Sequence, residues 1–173
     1  MPDHTQQVSY ARDFAVRAHG GQKYGERPYV WHLDAVAAQL APFGEQAQVL
    51  GYLHDVVEDT DVPLTEIASA FGAHTAACVA LLTDVPGATR KERKAKTYAK
   101  LAAVGPDLEL ALIAKAADRL ANLSACVADG RAELWDTYHG EHPAFRAAAY
   151  RPGLCDSLWA AMDEQLRARP AAR

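Results

Sequence analysis

Ten residues, Leu50-Gly51-Tyr52-Leu53-His54-Asp55-Val56-Val57-Glu58-Asp59, narrow the possible folds of this chain more than any other stretch. Read as a helix, they place His54 beside Glu58 and Asp55 beside Asp59, because side chains four apart share a face. Leu50, Leu53, Val56 and Val57 supply an apolar surface that ties the segment to a core. One imidazole and three carboxylates then gather near a buried helix end. The helix dipole disfavours acids at a C-terminus, so something positive has to offset them. A divalent cation does this directly. A solvated acidic helix end is the alternative, but the flanking residues are too apolar for a free surface.

The rest of the chain suits a helical setting for that stretch. With 173 residues, it is long enough for one well-formed core and short for two. Half of the residues are hydrophobic, rich in Ala and Leu with few β-branched runs, which predicts an all-α fold. The formal charge of −4 argues against general nucleic-acid affinity, so an anionic ligand needs a local basic patch. Cys78, Cys126 and Cys155 are odd in number, far apart and without metal or redox spacing. They read as reduced thiols in a cytoplasmic protein. The opening Met-Pro-Asp-His-Thr-Gln lacks a signal-peptide pattern, and no apolar run reaches bilayer length. No membrane partner is expected.

Taken in order, the pattern predicts helices over about residues 9–18, 32–40, 45–58, 64–71, 73–83 and 90–104, with Ser9 as the first N-cap. Glycines and Pro28 mark residues 20–28 as loop. Asp107 is read as the cap of a long apolar helix. Beyond it, Gly130 and Gly140 punctuate one helix, Pro143 starts another, and a last amphipathic helix carries Leu154, Leu158, Trp159, Met162 and Leu166. No strand is convincing, and the tail from Arg169 is expected to fray. His4 falls in the loose N-terminus. His74, His139 and His142 suit polar or capping contexts. His19 reads as packed or hydrogen-bonded, and Trp31, Trp135 and Trp159 read as core anchors.

A catalytic divalent metal needs a few fixed ligands and an open position for water. Adjacent His54 and Asp55 diverge by about 100° around a helix, so other elements must complete the shell. His32 and Asp118 can do so. Asp118 lies deep in an apolar stretch, where it must be paired or bound; Lys115 or Arg119 are the structural candidates for pairing. Two imidazoles and two carboxylates without a thiolate favour Mn²⁺, Mg²⁺ or Fe²⁺ over structural zinc. Glu58 and Asp59 then have roles as general base and water-orienting acid. Arg90, Lys91, Arg93, Lys94 and Lys96 crowd a helix N-terminus, where cations oppose the dipole but an anionic polyphosphate is welcome.

His32, the His54-Asp55 doublet and Asp118 stand in the order of the HD phosphohydrolase ligands. The string His54-Asp55-Val56-Val57-Glu58-Asp59-Thr60 resembles the hydrolase domain of the Rel/SpoT alarmone enzymes. So do Ala18-His19-Gly20-Gly21-Gln22, Pro28-Tyr29-Val30-Trp31-His32 and Ala117-Asp118-Arg119-Leu120-Ala121-Asn122. The likeness covers about residues 10–125 and, more weakly, the helices beyond. It implies an HD-domain helical bundle occupying residues 1–173, with a core over about 8–168. It also implies a stand-alone small alarmone hydrolase, similar to the metazoan SpoT homologue, that removes pyrophosphate from the 3′ position of (p)ppGpp with Mn²⁺. The ligands implied are His32, His54, Asp55 and Asp118, with Glu58 and Asp59 as the catalytic pair and Asn122 as a nucleotide contact. Arg90 and Lys94 are implied as phosphate contacts, and Arg146 and Tyr150 as a further nucleotide-contacting pair.

Some residues depart from the family pattern. Leu33 follows the first ligand histidine where proline is usual, and Ala121 replaces a histidine. The loop over residues 22–28 is one residue short and offers Lys23, Tyr24 and Arg27 where the family places an Arg-Lys pair. These changes touch substrate recognition rather than the metal. They motivate one alternative, a hydrolase of another nucleotide, such as NADPH or pApp, on the same site; a non-catalytic nucleotide-sensing module is a third reading, against which the retention of Glu58 and Asp59 argues. Neither composition nor pattern speaks to oligomeric state.

Overall fold

In the computed structural model, residues 4–171 are described, and for His4 and Thr5 the backbone only. The sequence reading of His4 therefore concerns a side chain outside the described residues. The chain runs α1 (His4–His19), a short hairpin of β1 (Lys23–Tyr24) and β2 (Arg27–Pro28), α2 (Val30–Leu40), α3 (Glu45–Leu53), α4 (Val56–Asp59), α5 (Leu64–Phe71) and α6 (Ala73–Leu82). It continues through α7 (Arg90–Ala102), α8 (Glu109–Asp129), α9 (Ala132–Ala149) and α10 (Asp156–Gln165). The all-α expectation holds, with one antiparallel two-stranded ribbon added, in which Lys23 faces Pro28 and Tyr24 faces Arg27. Its two-residue link starts at Gly25, whose φ of 60° is reached without strain only by glycine.

Helix α8 is the axis of the bundle. Every residue from 111 to 121 is buried, so this helix is enclosed on all sides rather than amphipathic. It is covered by α2, α3, α6, α9 and α10, while α1 lies against α3 and α7 against α9. Gly130, in the left-handed region at φ 66°, ends it, as a C′ glycine does. Leu33, Leu40, Leu50, Leu53, Leu112, Leu123, Phe145, Trp159 and Met162 are almost wholly enclosed. Full burial of side chains of this size contributes about 1.5–3 kcal/mol each.

Several boundaries differ from the sequence reading. The helix expected over 45–58 is two helices, separated at His54-Asp55. Asp107 is not a cap: it lies in a 3₁₀ turn, Pro106–Leu108, and α8 starts at Glu109 with no side-chain cap. Pro143 does not open a helix but sits inside continuous α9. An interior proline costs about 3 kcal/mol, and here burial of Trp135, Phe145, Ala148 and Ala149 on the same helix offsets it. Trp31 is no core anchor, being 37% exposed, whereas Trp135 and Trp159 are buried. Arg169 is held by a bidentate pair with Asp136, both contacts at 2.6 Å.

Candidate metal centre

Helices α2 and α3 are pressed together at Gly51. A Cβ there would lie 3.0 Å from the Cα of Ala37 and 3.1 Å from its nitrogen, so glycine is what permits the approach. The carbonyl of Gly51 accepts a hydrogen bond from Nδ1 of His54 at 2.8 Å. That bond assigns the imidazole proton to Nδ1 and turns the Nε2 lone pair inward. The same bond coincides with the end of α3, and Asp55 sits in the bridge region at φ −102°, ψ −4°. Breaking the helix there points consecutive side chains, His54 and Asp55, at one centre, which a continuous helix would have splayed apart.

Four polar groups from three segments meet at that centre. Nε2 of His32, near the start of α2, lies 3.3 Å from Nε2 of His54 and 3.3 Å from Oδ1 of Asp118 on α8. Nε2 of His54 lies 3.5 Å from the same Asp118 oxygen and 2.9 Å from Oδ2 of Asp55, while Asp55 Oδ2 is 3.8 Å from His32 Nε2. One ligand atom each from His32, His54 and Asp118 falls within 4.8 Å of the others. Asp55 flanks this triangle.

Two imidazole nitrogens facing each other at this distance, both beside carboxylates in a core, suit a shared proton or a positive charge between them. A proton is one solution. Burial works against a charged His54, yet the carboxylates of Asp55 and Asp118 outweigh it and hold the imidazole pKa well above its ordinary value. A divalent cation is the other solution, and the N₂O₂ donor set fits one.

A second layer of hydrogen bonds orients these groups. The Tyr29 hydroxyl donates to Oδ2 of Asp55 at 2.6 Å and lies 3.0 Å from Oδ2 of Asp59. Burial and those two acids keep the phenol protonated by raising its pKa. Behind it, His19 stacks on the Tyr29 ring at 4.3 Å and bonds Gln22 through Nδ1 at 2.8 Å. Asn122 donates to Oδ1 of Asp118 at 2.7 Å and accepts from the Tyr24 hydroxyl at 2.6 Å. Buried Lys115 stands 3.5 Å from the other Asp118 oxygen. Glu58 accepts from the backbone N–H of Asp84 at 2.7 Å, and desolvation raises its carboxyl pKa despite that bond and nearby Lys115.

No family model matches the chain. Among curated relatives, it is 34% identical over 126 residues to the Aquifex aeolicus guanosine-3′,5′-bis(diphosphate) 3′-pyrophosphohydrolase, covering 70% of this chain and 18% of that one. It is 30% identical over 140 residues to the human guanosine-3′,5′-bis(diphosphate) 3′-pyrophosphohydrolase, covering 77% of this chain and 78% of the human protein. This chain belongs to the guanosine-3′,5′-bis(diphosphate) 3′-pyrophosphohydrolase family. Among solved structures, a metazoan orthologue of SpoT that hydrolyses ppGpp superposes with a TM-score of 0.76 at 24% identity, covering 96% of both chains. A Listeria monocytogenes protein superposes with a TM-score of 0.63 at 24% identity, covering 82% of this chain and 97% of that one. Both share its fold. The chain spans less than a fifth of the first curated relatives it matches, 18% and 15% of their lengths.

Within this pyrophosphohydrolase-family chain, the predicted site residues divide into two groups. His32, His54, Asp55 and Asp118 converge, and Asp59, Tyr24 and Asn122 join them by hydrogen bonds. The expected substrate contacts are otherwise engaged within the protein. Arg90 is bidentate to Glu141, and Lys94 pairs with Asp84 at 2.7 Å. These pairs, with Thr89 accepting from the Glu92 N–H, give the basic helix end a structural explanation. Arg146 and Tyr150 do meet, with the guanidinium 4.6 Å from the ring centroid, but Arg146 turns to Asp163 at 3.1 Å and packs on Trp159. Lys23 is exposed on the hairpin.

Tyr29 is a site residue that the sequence reading does not single out. Tyr29 lies in the quoted Pro28–His32 string, and its spacing of three from His32 was the available signal. Lys115 is the partner expected for Asp118, at 3.5 Å. Its four-residue offset from Arg119 signals two cations of one helix face, of which Arg119 turns to Glu141 at 3.1 Å instead.

Proposed function

We propose that this chain is a metal-dependent hydrolase that removes the 3′-pyrophosphate of (p)ppGpp, acting as one HD-type domain over residues 1–173 in the cytoplasm. The observation that carries the reading is the convergence of His32, His54 and Asp118, with Asp55 beside them, in a chain that matches most of the human pyrophosphohydrolase. The continuous buried core from Ala11 to Met162 supports the one-domain reading. The absence of a helix long and apolar enough to cross a membrane among the described residues is compatible with the cytoplasmic one.

In this proposal His32, His54, Asp55 and Asp118 hold the cation, with Mn²⁺ favoured and Mg²⁺ or Fe²⁺ as alternatives by donor type. When bound, such an ion lowers the pKa of water and stabilises charge on phosphoryl oxygens. The chain's own residues do the rest. Glu58 is held through one carboxylate oxygen by the Asp84 N–H, which leaves the other to take a proton from the attacking water. Its raised pKa makes it a stronger base than a solvated carboxylate. Asp59 is steadied by Tyr29 and orients that water. Water oxygen bonds to phosphorus, the bond from phosphorus to the ribose 3′ oxygen breaks, and the 3′ oxygen leaves with the proton that Glu58 took from the water. Lys23, Tyr24, Arg90, Lys94, Asn122, Arg146 and Tyr150 are the proposed nucleotide contacts, of which Arg90, Lys94 and Arg146 must exchange a carboxylate for phosphate.

The shortened hairpin, with Lys23, Tyr24 and Arg27 where the family places an Arg-Lys pair, favours one second reading: the same chemistry on another nucleotide, such as NADPH or pApp. Incubation with Mn²⁺ and each of ppGpp, pppGpp, NADPH and pApp, with products resolved chromatographically, tests both. Release of pyrophosphate and GDP from ppGpp is the expected outcome. Inert ppGpp alongside turnover of another nucleotide would overturn the first reading in favour of the second, and binding of ppGpp by the metal-loaded protein without turnover would favour a nucleotide sensor.

A further inference from the structure

Tyr24 reaches the His/Asp cluster along two routes. Its ring lies parallel to the His32 imidazole, with centroids 4.6 Å apart and planes 2° from parallel. Its hydroxyl bonds Asn122, which bonds Oδ1 of Asp118, the oxygen that faces both imidazole nitrogens. The direction of this chain is fixed by donor chemistry. An ionised carboxylate only accepts, so Asn122 presents its NH₂ to Asp118 and its oxygen to Tyr24, and the phenol must donate.

The other face of the arrangement is pinned from outside. The Trp31 ring lies 5.8 Å from Tyr24, tilted by 32°. The Arg27 guanidinium covers Trp31 at 4.1 Å and is itself bidentate to Asp129, both bonds at 2.9 Å. The hairpin is thereby fastened to the end of α8, the helix that carries Asp118 and Asn122. Stacking and a directed hydrogen bond supply what rotamer preference does not, since the terminal torsions of His and Asp are broad.

We propose that Tyr24 is a positioning residue of the metal centre, its ring setting the rotation of the His32 imidazole and its hydroxyl, through Asn122, aiming Asp118 Oδ1 at the cation. The role rests on the metal-centre reading above. It makes Tyr24 part of the ligand scaffold as well as a proposed nucleotide contact, and it gives a role to the two hydrogen bonds that engage the Asn122 amide.

The test is Mn²⁺ affinity by titration calorimetry without nucleotide, on the wild-type chain, Tyr24→Phe, Asn122→Ala and the double variant. Tyr24→Phe keeps the ring and removes only the hydroxyl. Each single variant is expected to weaken Mn²⁺ binding by about ten-fold or more, as loss of an outer partner of a ligand does. The double variant should be no weaker than Asn122→Ala, because the hydroxyl acts through that amide. Tyr24→Leu, which removes the stack as well, should weaken binding beyond Tyr24→Phe. Unchanged affinity in Tyr24→Phe, or losses that add in the double variant, would overturn this role while leaving the metal centre intact. A wild-type chain that binds no Mn²⁺ would overturn both.

Discussion

Lys115→Met removes a buried cation from beside four acids while keeping most of its stem. Lys115 is 7% exposed. Its ammonium donates to the carbonyl of Leu82 at 3.1 Å and faces Asp118 at 3.5 Å. Burial lowers its pKa, but Asp118, Asp55, Asp84 and Glu58 overcome this and raise it, so it is charged at neutral pH. Without it, the end of α6 keeps Lys100, which donates to Ala80 and Thr83, but Asp118 keeps no ammonium. Removing one partner of a buried pair costs about 3–5 kcal/mol. For a chain of this size each kcal/mol is worth about 2–4 °C, so the metal-free variant should melt roughly 6–20 °C below wild type. A bound divalent cation supplies the missing charge, and the variant also loses an ammonium that repels it. The variant should therefore gain more from manganese than wild type does, and the gap in melting temperature should shrink by more than half. Differential scanning calorimetry in chelator and in excess Mn²⁺ measures both. Equal losses in the two conditions, or no loss in chelator, would refute the reasoning.

His54→Ala and Asp118→Ala should each abolish Mn²⁺ binding and turnover together, and retention of a full equivalent of metal in either, measured by elemental analysis, would contradict the ligand assignment. Glu58→Gln should retain the metal and slow turnover by about 10²–10⁴-fold. Because desolvation raises the Glu58 pKa above its ordinary 4.5, the base is lost as pH falls through that raised value. The acid limb of kcat/KM should accordingly lie above pH 4.5 in wild type and vanish in Glu58→Gln. Gly51→Ala forces α2 and α3 apart at a contact of 3.0 Å, with an expected loss of about 1–3 kcal/mol in urea unfolding. It should also weaken Mn²⁺ binding, since α2 carries His32 and His54 follows α3 directly.

The helices were legible because their apolar spacing and their glycine and proline punctuation agree. The candidate metal ligands were legible because a buried Asp118 and an acidic run on an apolar stretch each pose a charge problem with few answers. The break at His54-Asp55 was not, since neither residue disrupts a helix by propensity, and the bond from His54 to Gly51 depends on how α2 crowds α3. The ribbon over residues 23–28 is too short for alternation to register. Pro143 was misread because local preference favours a helix start, while burial of Phe145 and its neighbours carries α9 straight through. The pairing of Arg90 with Glu141 and of Lys94 with Asp84 was not legible, because those acids are brought near only by the tertiary fold.

Anomalous diffraction at the manganese edge from crystals grown with Mn²⁺ locates the ion directly. One peak bounded by Nε2 of His32, Nε2 of His54 and the carboxylates of Asp55 and Asp118 is expected. A map with no peak among those four side chains, or with its peak elsewhere, would contradict the metal centre.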